Sequence, residues 1–535
     1  METTNACKLP CVVQIGFAGS RDLFPGVADP KALYGEVERF LLDRFARLRD
    51  ELGLGHHHFF CGISQVAIGA DFAFSRACRA LEIPQRIFLA QSRDAYLNAI
   101  SPNGAPDFGE AQIAEALALL ESPHIIQERV VSESPDRRER FRDAIMETLR
   151  VSDLVVCIMP ADTQSPSGRG GTNDLLEVAE LRGKPALEIR VGTKDGQATF
   201  TETWHGLEKF HRPEPPADFA AVECSTSPLP DSAAFLGTLK EFAGEHAKKR
   251  KRLFSFLILA IVGLHVFATV LATGALALHG EGVNKQIHGH EIARAFLVAE
   301  LVCLFAGMMI HRQFHHSAPA RVWAESRLVA EIIRSVVQLR AYPLYLGHLF
   351  ALPFPHQIRP LLRTINVLHL RSTRGQTPTD WKTVRDHYVV HRLNDQLEFY
   401  RRDIERLTHR VAQAKTAFWF FAILAFLFTS VKLALSIFVP EDDHSLDLWL
   451  PAFGLFAVVF PVLAVAVMSW SIAMSYEGRL HTYAETHRFL NGAHRVNLET
   501  AQTKAEFEHL LVETELRLLG ETLNWYYRQS FAEVG

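Results

Sequence analysis

Three short glycine-bearing stretches carry the residues best suited to hold an anion. The first is Gly16-Phe17-Ala18-Gly19-Ser20-Arg21, the second Gly69-Ala70-Asp71, the third Gly168-Arg169-Gly170-Gly171-Thr172-Asn173. Glycine lets backbone N–H groups approach an anion closely, and a helix that starts there adds the positive end of its dipole. Ser20 and Thr172 supply hydroxyl donors, and Arg21 and Arg169 can pair with phosphate. Tight strand-to-helix turns also use glycine for steric reasons alone. The weight therefore rests on three such turns together, two of them with an adjacent arginine.

Other chemistry-bearing residues read as structural. His56-His57-His58 precede a strand, and three adjacent histidines point in different directions on any regular element, so no metal site is expected there. Cys7, Cys11, Cys61, Cys78, Cys157, Cys224 and Cys303 form no CxxC pair and read as reduced thiols. Arg137, Arg138 and Arg140, in SESPDRRERFRD, read as a solvated helix face, although they are within the chemistry of phosphate binding. No Walker A, HExxH or GxSxG pattern occurs in this region.

The elements that must position the turns alternate. Residues 12–19, 58–61, 85–90, 154–159 and 185–191 are short apolar runs, and residues 30–52, 70–81, 137–150 and 173–181 have helical spacing. This alternation predicts an α/β, Rossmann-like N-terminal domain with a parallel sheet covered on both faces. Its default ligand site lies at the carboxyl ends of the strands, where the three turns fall.

The second half is of a different kind. Leu253–Leu278, Ala295–Ile310, Ala417–Val439 and Leu446–Met474 are four apolar runs, paired by the short polar stretches HGEGVNKQIHGHE and PEDDHSLD. The first, as a helix, spans about 39 Å, enough to cross a bilayer with tilt. The expected architecture is an all-α membrane region of four transmembrane helices in two hairpins. Lys248-Lys249-Arg250-Lys251-Arg252 abuts the first run, and Arg312, Arg401 and Arg402 flank other inner ends, which places both termini on the cytoplasmic side. Glu300 and Lys432 fall inside the runs and are candidates for pore lining or for pairing between hairpins. The two hairpins look duplicated: Trp323-Ala324-Glu325-Ser326-Arg327 follows the first, and Tyr483-Ala484-Glu485-Thr486-His487-Arg488 the second.

Composition agrees with this division. The 535 residues exceed what one core serves, and 48% hydrophobic content excludes a wholly disordered chain. The 56 Lys+Arg against 60 Asp+Glu argue against a polycation that binds nucleic acid directly. The opening METTNACKLP lacks the pattern of a cleaved signal. The expected domains are 1–210, the sheet domain; 211–245, a proline-bearing linker; 246–345, the first hairpin and its following helix; 346–400, a cytoplasmic connector; and 401–535, the second hairpin and its following helices.

The ordered set GFAGSRDL, SQVAIGADFAFSRACRALEIP and VSDLVVCIMPADTQSPSGRGGTNDLLEVAELRGKP resembles the SLOG superfamily, which includes DNA-processing proteins, LOG-type phosphoribohydrolases and nucleotide-sensing domains of antiphage systems. The basic helix, paired spans and following Ala-Glu/Arg helix resemble SLATT modules, two-span membrane effectors, here in two copies. The resemblance implies that Gly19, Ser20, Arg21, Gly69, Ala70, Asp71, Gly170, Gly171 and Thr172 face a nucleotide phosphate or ribose. Asp71 would hydrogen-bond ribose or cap its own helix. The LOG enzymes have Glu three residues after the Thr, where this chain has Leu175; the nearest acid is Glu177. Binding is therefore expected rather than catalysis.

The resulting expectation is a homo-oligomeric effector in the bacterial inner membrane. It would bind a nucleotide-derived second messenger made by a separate synthase, with no further cofactor, and open the bilayer in antiphage defence. The alternatives are a membrane-anchored nucleotide N-glycosidase and a nucleotide-regulated channel or transporter.

Overall fold

The computed structural model describes residues 9–100, 104–161, 171–219, 232–278, 289–339, 352–374, 380–438 and 449–531. The chain divides into two compact units, one built on Met1–Leu239 and Pro353–Thr377, the other on Lys240–Ala341 and Pro378–Gly535.

The first unit is a seven-stranded, mostly parallel sheet. Strands β1 (Cys11–Gly19), β2 (His58–Ser64), β3 (Gln85–Leu89), β4 (Ile125–Val130), β5 (Leu154–Pro160), β6 (Ala186–Lys194) and β7 (Gln197–His205) lie in the order β4-β3-β2-β1-β5-β6-β7. The chain thus builds outward from β1 to β4 and then restarts on the other side of β1 with β5. The crevice between β1 and β5 is the topological switch point, where open α/β sheets bind ligands. The first six strands are parallel, and β7 runs antiparallel to β6. Asp195 and Gly196, both left-handed, close this last hairpin.

Strand periodicity explains why both sheet faces are covered. On β5, Leu154, Val156 and Ile158 pack with Leu33, Val37, Leu41 and Phe45 of α1 (Lys31–Glu51) and with Phe74 of α2 (Ala70–Ala80). The alternate residues Val155, Cys157 and Met159 pack with Ile145 and Leu149 of α5 (Arg137–Val151) and Leu175 and Ala179 of α6 (Thr172–Leu181). Short helices α3 (Arg93–Leu97) and α4 (Glu110–Leu120) complete a smaller core under β3, with Tyr96, Leu97, Phe108 and Leu119.

Two segments assigned by sequence to a linker and a connector have more structure than that. Pro213, Pro215, Pro216 and Phe219 are buried, and His58 Nε2 lies 2.8 Å from the Pro213 carbonyl. The helix that carries the first apolar run starts at Ser232. Within residues 346–400, a helix at Arg359–Thr373 belongs to the sheet unit. There Thr364 Oγ1 accepts from Val12 N at 3.0 Å, Arg363 pairs with Asp153, and Arg374 Nη2 donates to the Glu121 carbonyl at 3.1 Å. Val12 and Asp153 stand at the amino-terminal ends of β1 and β5, opposite the end where the glycine turns lie.

The second unit is all-helical. Its helices are α7 (Ser232–Leu278, shared with the first unit), α8 (Gly289–Ser317), α9 (Pro319–Gln338), α11 (Trp381–Tyr388), α12 (Asn394–Phe438), α13 (Trp449–Ala473), α14 (Tyr476–Asn491), α15 (Ala493–Thr500) and α16 (Lys504–Phe531); α10 is the Arg359–Thr373 helix of the sheet unit. Four helical stretches are long and apolar enough to cross a membrane, and their most apolar windows are only 17%, 11%, 0% and 6% buried. A soluble bundle would turn such stretches inward; these present apolar surface outward, as lipid requires.

Each hairpin closes through small residues and rings. In the first, a Cβ at Gly274 would come within 2.9 Å of the Phe296 ring, and Gly307 faces His265. In the second, Phe428 meets Phe453, Phe456 and Phe460, with ring centroids 5.2–5.6 Å apart. Both hairpins end alike: one left-handed non-glycine residue, Ala318 or Ser475, precedes a new helix. A cation from the base of the hairpin's first helix then sits over a ring of that new helix, Lys251 over Trp323 at 5.8 Å and Arg410 over Tyr476 at 5.5 Å. These matching closures agree with a duplicated hairpin. At the base, buried Arg392 joins Glu331 and Glu515, and Tyr388 and Ser335 each donate to Glu515 at 2.6 Å.

Candidate ligand-binding site

Two of the three glycine turns meet at the switch point. Gly19 ends β1 opposite Ile158 of β5, and Ser20 N donates to the Ile158 carbonyl at 2.9 Å. Any side chain at Gly19 would overlap Ala70, and any at Gly69 would overlap the Arg21 carbonyl. Gly69 has φ +87°, the region glycine tolerates, and Ala70 N reaches the Ser20 carbonyl at 3.4 Å. The two turns are therefore interlocked, backbone on backbone. Tyr34 of α1 fixes the loop from outside: its hydroxyl donates to the Arg21 carbonyl at 3.1 Å and accepts from Leu23 N at 3.2 Å.

The third turn is described from Gly171 onward; Arg169 and Gly170 lie outside the described residues. Gly171, with extended backbone, is the N-cap of α6, and Thr172 is its first residue. A glycine N-cap brings no side-chain acceptor of its own to the helix N-terminus. Leu175, at the position where LOG enzymes have Glu, is fully buried in the core. Glu177 stands on the exposed face of α6 and is not brought into the β1 turn.

Asp71 does not cap its own helix. Its Oδ2 accepts from Ala67 N, four residues upstream, at 3.1 Å. Its Oδ1 is buried without a hydrogen-bond partner, and so is the hydroxyl of Tyr96 in α3. Burial pushes the Asp71 carboxyl up to about 7, against the opposing pull of the Ala67 amide, Arg21 and the Gly19 amide; the last acts on the carboxyl without meeting hydrogen-bond geometry to Oδ1. Burial, then the nearby Asp71, push the Tyr96 phenol far up. Arg21 and Arg137 share the buried Asp107: Arg21 Nη1 lies 3.3 Å from it, and Arg137 pairs with it more closely. Both arginines remain partly exposed, so each keeps donors for a ligand.

The arrangement thus sets two kinds of group near one another. Glycine-turn amides and two arginines suit phosphate; an unpartnered carboxylate oxygen and a phenol suit a sugar hydroxyl. Sequence does not mark Tyr96 or Asp107 as site residues: Tyr96 lies on the five-residue helix α3 and Asp107 in the segment after it, neither in a strand-to-helix glycine turn.

The histidines converge more than their spacing suggests. His57, His58 and Glu214 place their ligand atoms within 4.8 Å of one another. Both nitrogens of His58 are engaged, Nδ1 accepting from Gly55 N at 3.1 Å and Nε2 lying 2.8 Å from the Pro213 carbonyl. Glu214 pairs with Arg212 at 2.7 Å. The group fastens segment 211–219 to β2 and does not fit a metal ion as it stands.

In the membrane unit, Glu300 is half-buried on α8 and Lys432 is exposed on α12. Among the described residues no ion pair joins them; the Lys432 ammonium instead lies over Gly454 of α13.

The fold defines a class: a mostly parallel α/β sheet unit in one chain with four helices long and apolar enough to cross a membrane. Comparison with family models, curated proteins and solved structures finds no match to this chain.

Proposed function

We propose that this protein is a membrane effector gated by a nucleotide-derived second messenger. The carrying observation is the pair of buried, unpartnered oxygens of Asp71 and Tyr96 at the switch-point crevice, beside Arg21 and Arg137. A buried polar atom left without a partner costs stability, and a sugar hydroxyl would recover that cost on binding. Phosphate would lie on the Gly19–Arg21 turn and the Gly171–Thr172 helix start. The SLOG and SLATT resemblances point the same way.

Chain connectivity suggests the coupling. The first hairpin is bracketed by the sheet unit, since α7 begins in it and α10 returns to it. A ligand that prefers one arrangement of that unit biases both ends of the hairpin. Moving the membrane part from mostly closed to mostly open needs about 10⁴-fold preference for the open state. The oligomer would sit in the inner membrane with both termini cytoplasmic, and Glu300 and Lys432 would line the path between hairpins.

A second reading has one observation in its favour. A carboxyl poised at about 7 is suited to general acid catalysis, so Asp71, rather than Glu177, would serve an anchored N-glycosidase. Purified full-length protein incubated with cyclic oligonucleotides and ADP-ribose derivatives separates the readings. Saturable binding of an intact compound, weakened at least tenfold by Arg21→Ala, supports the effector. Release of free base, abolished by Asp71→Asn, supports the hydrolase. No binding to any of them removes the messenger reading.

A further inference from the structure

A second cavity, distinct from the crevice, lies wholly in the helical unit. It is a cleft of about 520 Å³ between the end of α13, the start of α14 and one face of α16. Its walls are of two kinds. Met468 and Ile472, from the last turns of the apolar helix α13, form one side. Arg479, Arg517 and Arg528 stand on the other.

Three donors on the lining are buried and unpartnered: Arg479 Nε, Thr486 Oγ1 and Trp525 Nε1. Thr486 is fully buried and Trp525 is 6% exposed, so solvent does not satisfy them. An orphaned buried donor is costly, and each of these three belongs to a residue of the cleft wall, where a small side-chain rotation toward an acceptor-rich occupant would satisfy it.

Charge agrees. The acidic residues of the lining are each engaged: Glu477 with Lys415 at 2.7 Å, Glu485 with His481 at 3.2 Å, Glu521 with Arg327 at 3.7 Å. Among the described residues Arg517 and Arg528 have no carboxylate within ion-pair distance; Arg517 rests over the Phe489 ring at 5.8 Å. Two exposed guanidinium groups thus remain available to an anion.

We infer that this cleft holds a phosphate group, bound by Arg517 and Arg528 and by the donors of Arg479, Thr486 and Trp525. The apolar wall from α13 suits the phosphate of an anionic phospholipid, whose chains would continue along the membrane helix. A free phosphate would use the same donors and leave that wall uncovered. The site places a phosphate sensor at the foot of the fourth apolar helix, independent of what occupies the sheet crevice.

Full-length protein in neutral detergent would be titrated with phosphatidylglycerol, with phosphatidylcholine and with inorganic phosphate, and bound molecules counted by native mass spectrometry. Retention of phosphatidylglycerol over phosphatidylcholine, reduced about tenfold or more by Arg517→Gln with Arg528→Gln, supports a lipid headgroup. Binding of inorganic phosphate with the same dependence supports a soluble source. Trp525→Phe removes the indole donor and should weaken either ligand; Arg517 and Arg528 are exposed, so their variants are expected to keep the fold. Binding of all three probes unchanged in the arginine variants, or no binding of any, overturns the inference.

Discussion

Asp71 is held in a state that costs the fold stability, and this has a measurable pH signature. The carboxyl is buried, and its pKa rises from 3.8 to about 7 on folding. Below pH 3.8 it is protonated both folded and unfolded, and its full contribution is present. Between 3.8 and 7 the unfolded chain releases the proton while the folded chain keeps it, so stability falls as pH rises. The loss is about 1.4 kcal/mol per pH unit, hence about 4 kcal/mol by pH 7, and is constant above it. Asp71→Asn keeps the acceptor for Ala67 N and removes the titration. Its advantage over the parent should be near zero at pH 4 and about 4 kcal/mol at pH 8. For a unit of this size that is roughly 10 °C in melting temperature. Thermal melts of the full-length protein in detergent, run from pH 4 to 9 for both chains, give the difference directly. A difference that does not change with pH, or a less stable variant at pH 8, refutes the argument. The same substitution should weaken ligand binding, since the oxygen that costs stability is the one offered to the ligand.

Three further outcomes follow from the packing. Gly69→Ala meets both a left-handed backbone and the Arg21 carbonyl, and should destabilise the sheet unit by about 3 kcal/mol or more, read as lost yield or a lowered melting temperature. Arg392→Met leaves the buried Glu515 with no cation among the described residues and Glu331 with Arg334 alone, and should cost about 3–5 kcal/mol. Adding Glu515→Gln should restore part of it, which a double-mutant cycle of melting temperatures measures. Thr364→Val removes the acceptor for Val12 N and should cost about 1–3 kcal/mol, with earlier proteolytic cleavage around residues 359–373 as the readout.

Five of the six parallel strands are legible in the sequence because a strand buried on both faces is a continuous apolar run, as in VVQIGFAG and LVVCIMP; β4, Ile125–Val130, is missed because only its first two residues are fully buried and Gln127, Glu128 and Arg129 interrupt the run. The membrane helices are legible for the same reason, being apolar on all sides. Strand β7 is harder to read, since its residues alternate between exposed and half-buried at a sheet edge, although the Asp195-Gly196 turn before it is a hairpin signal. The docking of α10 joins residues more than 200 apart, which no local pattern reports. In the site, glycine marks the turns because close approach demands it. Asp107 and Tyr96 carry no such mark; Arg137 looks like part of a solvated helix face until its pairing with Asp107 is seen.

The central claim joins a ligand at the β1–β5 crevice to the state of the membrane helices. The most direct measurement is dye release from liposomes that contain the full-length protein, before and after addition of nucleotide-derived compounds. The account predicts release on addition of one intact compound, and none from liposomes carrying Arg21→Ala or Gly171→Asp protein. Release that needs no compound, or that those two substitutions leave unchanged, would contradict it.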